Sequence, residues 1–406
     1  MFGIPNLNLL IMKKTIFLVL ACLICASSFA QTTYQEISSA KLNAVRKLKV
    51  KLPKNYDANA DEKYPVIIVF DGDYLFEPVV GQIDFQTYFD NMPGSIVVGI
   101  MQGENRFYDG YYDPTTGLPT ESGLRFHDFV SDELLPYIDK KYNTSKFRVA
   151  VGHDNMGNLI NSYLFKEVLD FQAYVCISPD FIGSLNNFIS KRLALFKDDI
   201  FYYLATSEKD IPQLRESILS TNAQIKALDN QNVTYYFDDF KDENHYTLVT
   251  SALARSFEKI FDIYNPLREK ELEEKVLPYE GTLDNYLTDR YKRIEKLFGI
   301  KKEISEAEIE KVIKIAEQRE DLKSLGKLGA LANKLHPESL MGTYYLAQSA
   351  EKLGKTKKAK KLYESALTLN DVSHINRDFI FSKIDELTVA DLDEEIDDND
   401  DDDEEN

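Results

Sequence analysis

Tryptophan and cysteine are the scarcest residues of this 406-residue chain, which has no tryptophan and three cysteines. Two of them, Cys22 and Cys25, lie in an apolar N-terminal stretch, so only Cys176 remains for the body of the protein. A single cysteine excludes an internal disulfide, so the fold must be stabilised by burial of a core. The length suffices for one large domain and a smaller one.

The apolar N-terminal stretch is too short to be a membrane span, which needs about 20 apolar residues. A basic start, a short apolar run and small residues follow one another over 12–30. This pattern is typical of a secretory signal peptide. We therefore expect a signal peptide over 1–30, a true start at Met12 and export to the periplasm or outside a bacterial cell. Lipid modification of Cys22 is less favoured, because Leu20 stands where a smaller residue is usual.

Basic residues are also outnumbered, because 48 Lys and Arg stand against 67 Asp and Glu, which gives a formal net charge of −19. Residues 391–405 carry twelve acidic side chains and no basic one, and removing these twelve charges leaves −7. A chain of such acidic net charge is a poor nucleic-acid binder. A block of like charges repels itself, so we predict a disordered, solubilising tail over 388–406. Binding of divalent cations or of a basic partner is the alternative.

Short β-rich segments alternate with helical segments over the first two thirds of the chain. This alternation predicts a mainly parallel sheet covered on both faces, which is an α/β domain at about 35–265. The alternating segment 44–52 suits an edge strand, whereas the continuous apolar run 64–73 suits a strand buried on both faces. Strands are predicted at 44–52, 64–73, 95–100, 147–152, 173–179, 201–206 and 233–240, and helices at 76–91, 123–142, 156–168, 211–228 and 247–263.

Strand-like segments stop near residue 268, and charged helical sequence takes over to 387. Helices are predicted at 282–297, 304–318, 321–335, 339–353, 356–369 and 373–386. Within them, a set of residues falls at the spacings of a tetratricopeptide repeat, in which small residues let two helices cross closely. These residues are Leu346, Ala347, Ala350, Gly354, Ala359, Tyr363 and Ala366, with Ala332 and Pro337 one period earlier. We expect a C-terminal helical, tetratricopeptide-like domain over 268–387.

The segment 147–165, FRVAVGHDNMGNLINSYLF, predicts a strand that runs through a tight turn into a helix. In α/β-hydrolases this turn, the nucleophile elbow, carries the catalytic serine. Here Asp154 stands at the turn. Asp210 and His245 follow the ends of later predicted strands, so the chain order is elbow, acid, histidine, as in α/β-hydrolases.

Five segments together resemble the putative-esterase family of α/β-hydrolases, which includes esterase D, enterochelin esterases and mycolyltransferases. They read VKLPKNYDANADEKYPVIIVFDGD, MPGSIVVGIMQGENR, FHDFVSDELLPYIDKKYNTSKFRVAVGH, CISPDF and HYTLV. The resemblance covers 48–261, a little over half of the chain. It implies an α/β-hydrolase fold and hydrolysis of carboxylic esters, with no cofactor.

The resemblance also assigns roles by position. The family elbow reads G-H-S-x-G-G, so Asp154 stands at the serine and Met156 at a glycine. His245 stands at the catalytic histidine, and Asp210, or less favourably Glu208, stands at the acid.

Two backbone N–H groups complete the site that the resemblance implies. Those of Asp73 and Asn155 stand at the two donors of the oxyanion hole, the pair that stabilises the negative oxygen of the tetrahedral intermediate. A carboxylate at Asp73 would oppose that oxygen if it pointed into the site.

The replaced serine changes the expected chemistry. Asp154 has no hydroxyl proton for a histidine to remove, and its carboxylate is a weak nucleophile toward an ester carbonyl. We also expect Met156 to relax the turn, because the elbow tolerates little bulk there. We therefore predict lost or much reduced ester hydrolysis and a binding role, toward an ester-like small molecule or, through the helical repeats, a protein.

Three active alternatives stay open. The chain is an active esterase on siderophore or acyl esters, or it uses Asp154 as a nucleophile on an sp3 carbon, as the G-H-D elbows of epoxide hydrolases and dehalogenases do. In the third alternative, a relocated serine, Ser178 or Ser207, attacks the ester.

The remaining motif signals are weak. No His, Cys and carboxylate spacing predicts a metal site, and no glycine-rich phosphate loop is present. The aromatic segment RFYDGYYD, 106–113, lies in a loop above the predicted strand ends. Its rings could stack on a ligand or cover the cleft, but plain packing is the favoured interpretation.

Overall fold

The structure is a computed structural model that describes residues 32–372 and 375–400. The predicted signal peptide over 1–30 lies outside the described residues. The described chain forms two compact units, one ending at Ile260 and the other beginning at Phe261. In the described part of the chain, no helix is both long and apolar enough to cross a membrane.

The first unit is built on one eight-stranded sheet with the order β1-β2-β4-β3-β5-β6-β7-β8. The two pairs β1/β2 and β2/β4 are antiparallel, and the other neighbouring strands run parallel. This is the predicted α/β architecture with a mainly parallel sheet. The strands are β1 Thr32–Ser39, β2 Ala44–Lys51, β3 Tyr64–Val69, β4 Ile96–Ile100, β5 Thr144–His153, β6 Ala173–Ile177, β7 Ile200–Lys209 and β8 Val233–Asn244.

Burial explains why the central strands can be predicted from the sequence. Every residue of β3, β4 and β6 is buried, as the continuous apolar runs require for strands covered on both faces. The prediction of β2 as the edge strand is wrong, because β1 pairs along its whole length and takes the edge. Strand β1 is largely exposed, so it carries no apolar pattern that would predict it.

Helices cover both faces of the sheet. They are α1 Phe76–Tyr88, α2 Arg106–Asp109, α3 Glu121–Phe129, α4 Leu135–Lys141, α5 Asp154–Ser162, α6 Asn186–Leu193, α7 Pro212–Lys226 and α8 Leu248–Ile260. A π-helical turn, Val130–Leu134, joins α3 to α4, so the two form the single helix predicted there. Helix α6 was not predicted, because it begins with two asparagines and its buried residues are few.

The second unit is helical. After a short helix α9, Glu269–Glu271, and a π-helical turn, Leu272–Val276, come α10 Leu283–Phe298, α11 Glu306–Gln318, α12 Leu322–Leu335, α13 Leu340–Lys352, α14 Thr356–Ala366 and α15 Arg377–Asp400. The alanines and the tyrosine singled out by the repeat spacing are buried in its core. Gly354 ends α13 in the left-handed conformation, with φ at +70°.

Helices α12 and α13 cross most closely at two glycines that the repeat spacing did not single out. A Cβ on Gly342 would lie 2.5 Å from the backbone nitrogen of Asn333, and one on Gly329 would lie 2.9 Å from the carbonyl oxygen of Gly342. Helix α15 continues through Asp400, into the acidic segment for which the charge pattern predicts disorder. Its buried residues Ile380 and Leu387 precede that segment.

Candidate functional site

The site begins at a sharp turn between β5 and α5. Asp154 is the first residue of α5 and has a φ of +57°, in the left-handed region that non-glycine residues rarely adopt. The neighbouring Gly152 has no room for a side chain, since a Cβ there would lie 2.5 Å from the carbonyl oxygen of Met156. The turn therefore has the strained, sharp geometry of a nucleophile elbow, with a carboxylate at its apex.

The prediction that Met156 relaxes this turn is wrong. Its side chain is fully buried in the core of the first unit. The space for its methyl group exists because residue 110 is glycine, where a Cβ would lie 2.7 Å from Met156 Cε. The side-chain amide of Gln102 also lies 3.3 Å from the Met156 sulfur. A side chain two residues past the apex is thus accommodated by the packing of the segment 102–110, which follows β4.

Two of the predicted site residues form a buried pair. His245 follows β8 and Asp210 follows β7, and His245 Nδ1 lies 2.9 Å from Asp210 Oδ1. The hydroxyls of Ser178 and Thr206 donate to Asp210 Oδ2 at 2.7 and 2.8 Å. Burial opposes ionisation of Asp210, but its hydrogen bonds with His245, Ser178 and Thr206 outweigh burial and hold its pKa below the usual range. Glu208, the alternative acid, is exposed.

The elbow faces this pair. His245 Nε2 lies 4.0 Å from Asp154 Oδ1, beyond hydrogen-bond distance. Asp210 can only accept, so His245 Nδ1 carries a proton and Nε2 is an acceptor when the ring is neutral. The structure thus brings Asp154, Asp210 and His245 together, although serine chemistry would need a hydroxyl donor where Asp154 stands.

The two alternative serines do not face the cleft. Ser178 and Ser207 are both fully buried. The Ser178 hydroxyl lies 3.0 Å from His245 Nδ1, on the side of the ring that faces Asp210. Ser178 therefore supports the His245–Asp210 pair, and neither serine is placed to attack an ester.

Arg106 is a member of the site that the sequence did not single out. Its Nη2 atom lies 3.1 Å from Asp154 Oδ2, and its Nε and Nη2 atoms hold Asp71 at 2.7 and 3.0 Å. Burial raises the pKa of Asp71, although the guanidinium of Arg106 opposes that rise. Asp71 itself has a φ of +54°. One guanidinium therefore ties the end of β3 to the apex of the elbow.

A buried ion pair anchors the helix that carries Arg106. Arg46 of β2 contacts both carboxylate oxygens of Asp109 at 2.9 and 2.8 Å, and both side chains are less than a tenth exposed. Gln102 donates to the same carboxylate at 3.1 Å and accepts from the backbone N–H of Asp71 at 2.7 Å. Burial raises the pKa of Asp109 to about 6, against the opposing charge of Arg46. These contacts fix the position of Arg106.

His153, the residue before the apex, braces the elbow. Its Nε2 lies 3.0 Å from the carbonyl oxygen of His245, and its Nδ1 lies 3.0 Å from the hydroxyl of Tyr74. Burial, followed by the neighbouring His245, lowers the pKa of His153 to about 4, so this ring is neutral at pH 7. A neutral, doubly hydrogen-bonded ring is suited to positioning His245.

One of the two predicted oxyanion donors, the backbone N–H of Asn155, lies at a helix N-terminus. Asn155 is in the first turn of α5, where N–H groups have no acceptor within the helix. The Asp73 carboxylate accepts from the N–H groups of Gln102 and Gly103 at 2.7 and 3.0 Å. The loop after β4 therefore holds the Asp73 carboxylate, which would oppose an oxyanion if it pointed into the site.

The favoured interpretation of the aromatic segment 106–113 is wrong for its first rings. Phe107 is 69% exposed and Tyr108 is 60% exposed, and the two rings contact each other edge to face. The buried members of the segment are Asp109, which pairs with Arg46, and Gly110. The segment thus presents aromatic rings to solvent beside Arg106.

Sequence reasoning missed Arg106, Tyr74 and Gln102 as site residues. The segment 106–113 stood out for its rings, and the arginine at its start was the available signal. Among the described residues, no group of three or more His, Cys, Asp and Glu side chains is arranged to hold a metal ion.

Comparison with known proteins agrees with this geometry. Residues 39–160 match the family model described as "Putative esterase". An uncharacterised protein from Capnocytophaga ochracea is similar in structure, with a TM-score of 0.80 and 28% identity over 88% of this chain and 100% of that one. Because the α/β unit ends at Ile260, this similarity extends into the helical unit.

A second solved structure is similar in fold. An IroE-like serine hydrolase from Shewanella oneidensis has a TM-score of 0.56 and 20% identity, over 75% of this chain and 99% of that one. No curated protein matches the chain. The matched segment contains the elbow, and the sheet and helices have the predicted α/β-hydrolase fold. The α/β unit of this chain therefore has the α/β-hydrolase fold, and residues 39–160 within it match the putative esterase family.

Proposed function

We propose that this protein is an exported member of the putative esterase family that binds a ligand in the esterase cleft without cleaving esters by the serine route. The observation that carries the proposal is Asp154 at the apex of an intact elbow, with its carboxylate held by Arg106 at 3.1 Å. The scaffold of the reaction is retained, and the attacking hydroxyl is replaced by a paired carboxylate.

The chemistry disfavours turnover at three points. An ionised Asp154 has no proton for His245 to remove, so general-base activation has no target. Attack by its carboxylate on an ester carbonyl would have to form a mixed anhydride and expel an alkoxide. An alkoxide is a poorer leaving group than the carboxylate that attacked. The ion pair with Arg106 stabilises the carboxylate further and lowers its tendency to attack.

The remaining features support a binding role. The His245–Asp210 pair and the backbone donors can position a polar ligand, and the exposed rings of Phe107 and Tyr108 offer apolar surface beside the cleft. The helical unit, with its repeat-like buried alanines, is the candidate surface for a protein partner. Export rests on the leader-like composition of 1–30 alone.

Hydrolysis assays test the proposal. Purified wild-type protein and His245→Ala should hydrolyse p-nitrophenyl butyrate at rates within about twofold of each other, because His245 has no hydroxyl to activate. Thermal unfolding of both proteins serves as the folding control. A wild-type rate that falls tenfold or more in a folded His245→Ala protein would show that the cleft is an active esterase.

A second candidate function is favoured by the sharp elbow itself. Asp154 could attack an sp3 carbon, so that a halide or alkoxide leaves and an alkyl ester forms on the carboxylate. His245 would then take a proton from water as that water attacks the ester carbonyl and releases the alcohol. Asp154 Oδ1 and His245 Nε2 lie 4.0 Å apart, so both groups can reach the same bound substrate. Hydrolysis of an alkyl halide or epoxide in 18O-water would then place 18O in the 152–157 peptide.

A further inference from the structure

When the His245 ring is neutral, two hydrogen-bond acceptors face each other across the candidate cleft. Asp154 Oδ1 and His245 Nε2 are 4.0 Å apart. Within the described part of the chain, no hydrogen bond reaches either atom: Arg106 contacts the other Asp154 oxygen, and Asp210 contacts the other His245 nitrogen. The Asp154 side chain is 30% exposed, so its oxygen can be reached from solvent. Two facing acceptors require a donor supplied from outside the protein.

The separation of the two acceptors fits a single donor nitrogen. A nitrogen at about 2.9 Å from each atom makes an angle of roughly 90° with them, near that between two N–H bonds of a tetrahedral ammonium. Each acceptor would then receive its own N–H. A carboxylate ligand could donate to neither atom, and the charge of a carboxylate or a phosphate would oppose that of Asp154.

The surroundings favour a positive charge in this place. The carboxylates of Asp71, Asp180 and Asp210 lie around Asp154 and outnumber the guanidinium of Arg106. Asp180 is tied to the elbow, because its backbone N–H donates to the carbonyl of Asp154 at 3.0 Å. A cation entering the cleft therefore meets net negative charge.

Aromatic rings stand beside the acceptor pair. Tyr246 is 77% exposed, and its ring centroid lies 5.0 Å from that of His245. Tyr74 is 45% exposed and lies 6.1 Å from His153, whose ring is 4.5 Å from His245. The negative faces of tyrosine rings attract an ammonium group and the alkyl carbons attached to it.

We propose that the cleft binds a ligand with a primary ammonium group, whose nitrogen donates to Asp154 Oδ1 and His245 Nε2 while its alkyl part lies against Tyr246. This inference rests on the proposed binding function and names the chemical class of its ligand. It also gives the aspartate at the elbow a role of its own, since serine at that position would not supply the negative charge.

Titration of the full chain with n-butylammonium chloride tests the proposal. Binding is followed by calorimetry and by the ring signals of 15N-labelled histidines, at constant ionic strength. We expect saturable binding of n-butylammonium that shifts the His245 signals, and no saturation with n-butanol or sodium butyrate. Asp154→Asn should weaken binding about tenfold or more, because a charge-assisted hydrogen bond is lost. Tyr246→Ala should weaken it about threefold.

A charge-matched variant provides the control. Asp242→Asn removes one negative charge from the exposed end of β8 and should change the affinity less than twofold. Butyrate that binds as tightly as butylammonium, or a folded Asp154→Asn protein with unchanged affinity, would overturn the proposal. Because the titration involves no turnover, its failure is distinct from that of the proposed function, which fails if wild type shows His245-dependent ester hydrolysis.

Discussion

Asp154→Ser is expected to hydrolyse p-nitrophenyl butyrate about 100-fold faster than the wild-type protein. The substitution places a hydroxyl at the apex of a turn that already has the elbow conformation, with φ at +57°. His245, held by Asp210 at 2.9 Å, then has a proton to remove, and general-base catalysis contributes about 10²- to 10⁴-fold. Arg106 keeps its ion pair with Asp71, so the segment that carries Arg106 stays tied to the end of β3.

Two variants decide whether such a gain comes from the restored nucleophile. Asp154→Ala removes the carboxylate without adding a hydroxyl and should stay at the wild-type rate. The double variant Asp154→Ser, His245→Ala should lose the gain, because serine alone is not activated. An Asp154→Ser protein that folds and shows no gain would mean that a defect other than the missing hydroxyl disables the cleft.

Arg46→Met is expected to lower the free energy of unfolding by about 3 to 5 kcal/mol at pH 8, because it leaves Asp109 buried and unpaired. Both partners are less than a tenth exposed, and their contact uses both carboxylate oxygens. Burial already raises the pKa of Asp109 to about 6, and removal of Arg46 raises it further. The folded variant can therefore protonate Asp109 at low pH, so the loss should be smaller at pH 5. Urea unfolding at both pH values measures the difference.

Matched variants separate the stability cost of breaking the buried ion pair from the cost of removing an exposed charge. Arg268→Met breaks an ion pair with Asp262 in which both side chains are about half exposed, so it should cost at most about 1 kcal/mol. Replacing both buried partners, with Arg46→Met and Asp109→Leu together, should restore much of the lost stability, since no unpaired charge remains. A loss below about 1 kcal/mol for Arg46→Met at pH 8 would show that this pair does not anchor the helix that carries Arg106.

Much of the α/β unit can be predicted from the sequence because its strands carry their own signal. Segments such as Ile96–Ile100 are buried on both faces, and burial demands an uninterrupted apolar run. The edge strand Thr32–Ser39 and the helix Asn186–Leu193 face solvent more, so the same argument finds no pattern in them. The residues after the strand ends were found because chain order and topology place Asp154, Asp210 and His245 at one edge.

The contacts that define the cleft depend on partners distant in the chain. Arg106 pairs with Asp71 and Asp154 across 35 and 48 residues, and no local spacing encodes such pairs. The same holds for Met156, which looked too large for the elbow because the space it fills is created by Gly110 in another loop. Local rules therefore identified the unusual residues correctly but not the packing that accommodates them.

The central claim is that a carboxylate at the apex of an intact elbow disables attack on an acyl carbon. Treatment of the full chain with a fluorophosphonate ester probe, followed by mass spectrometry of the 152–157 peptide, tests it most directly. We predict no covalent adduct on that peptide in the wild-type protein and a His245-dependent adduct in Asp154→Ser. An adduct on the wild-type peptide would contradict the account.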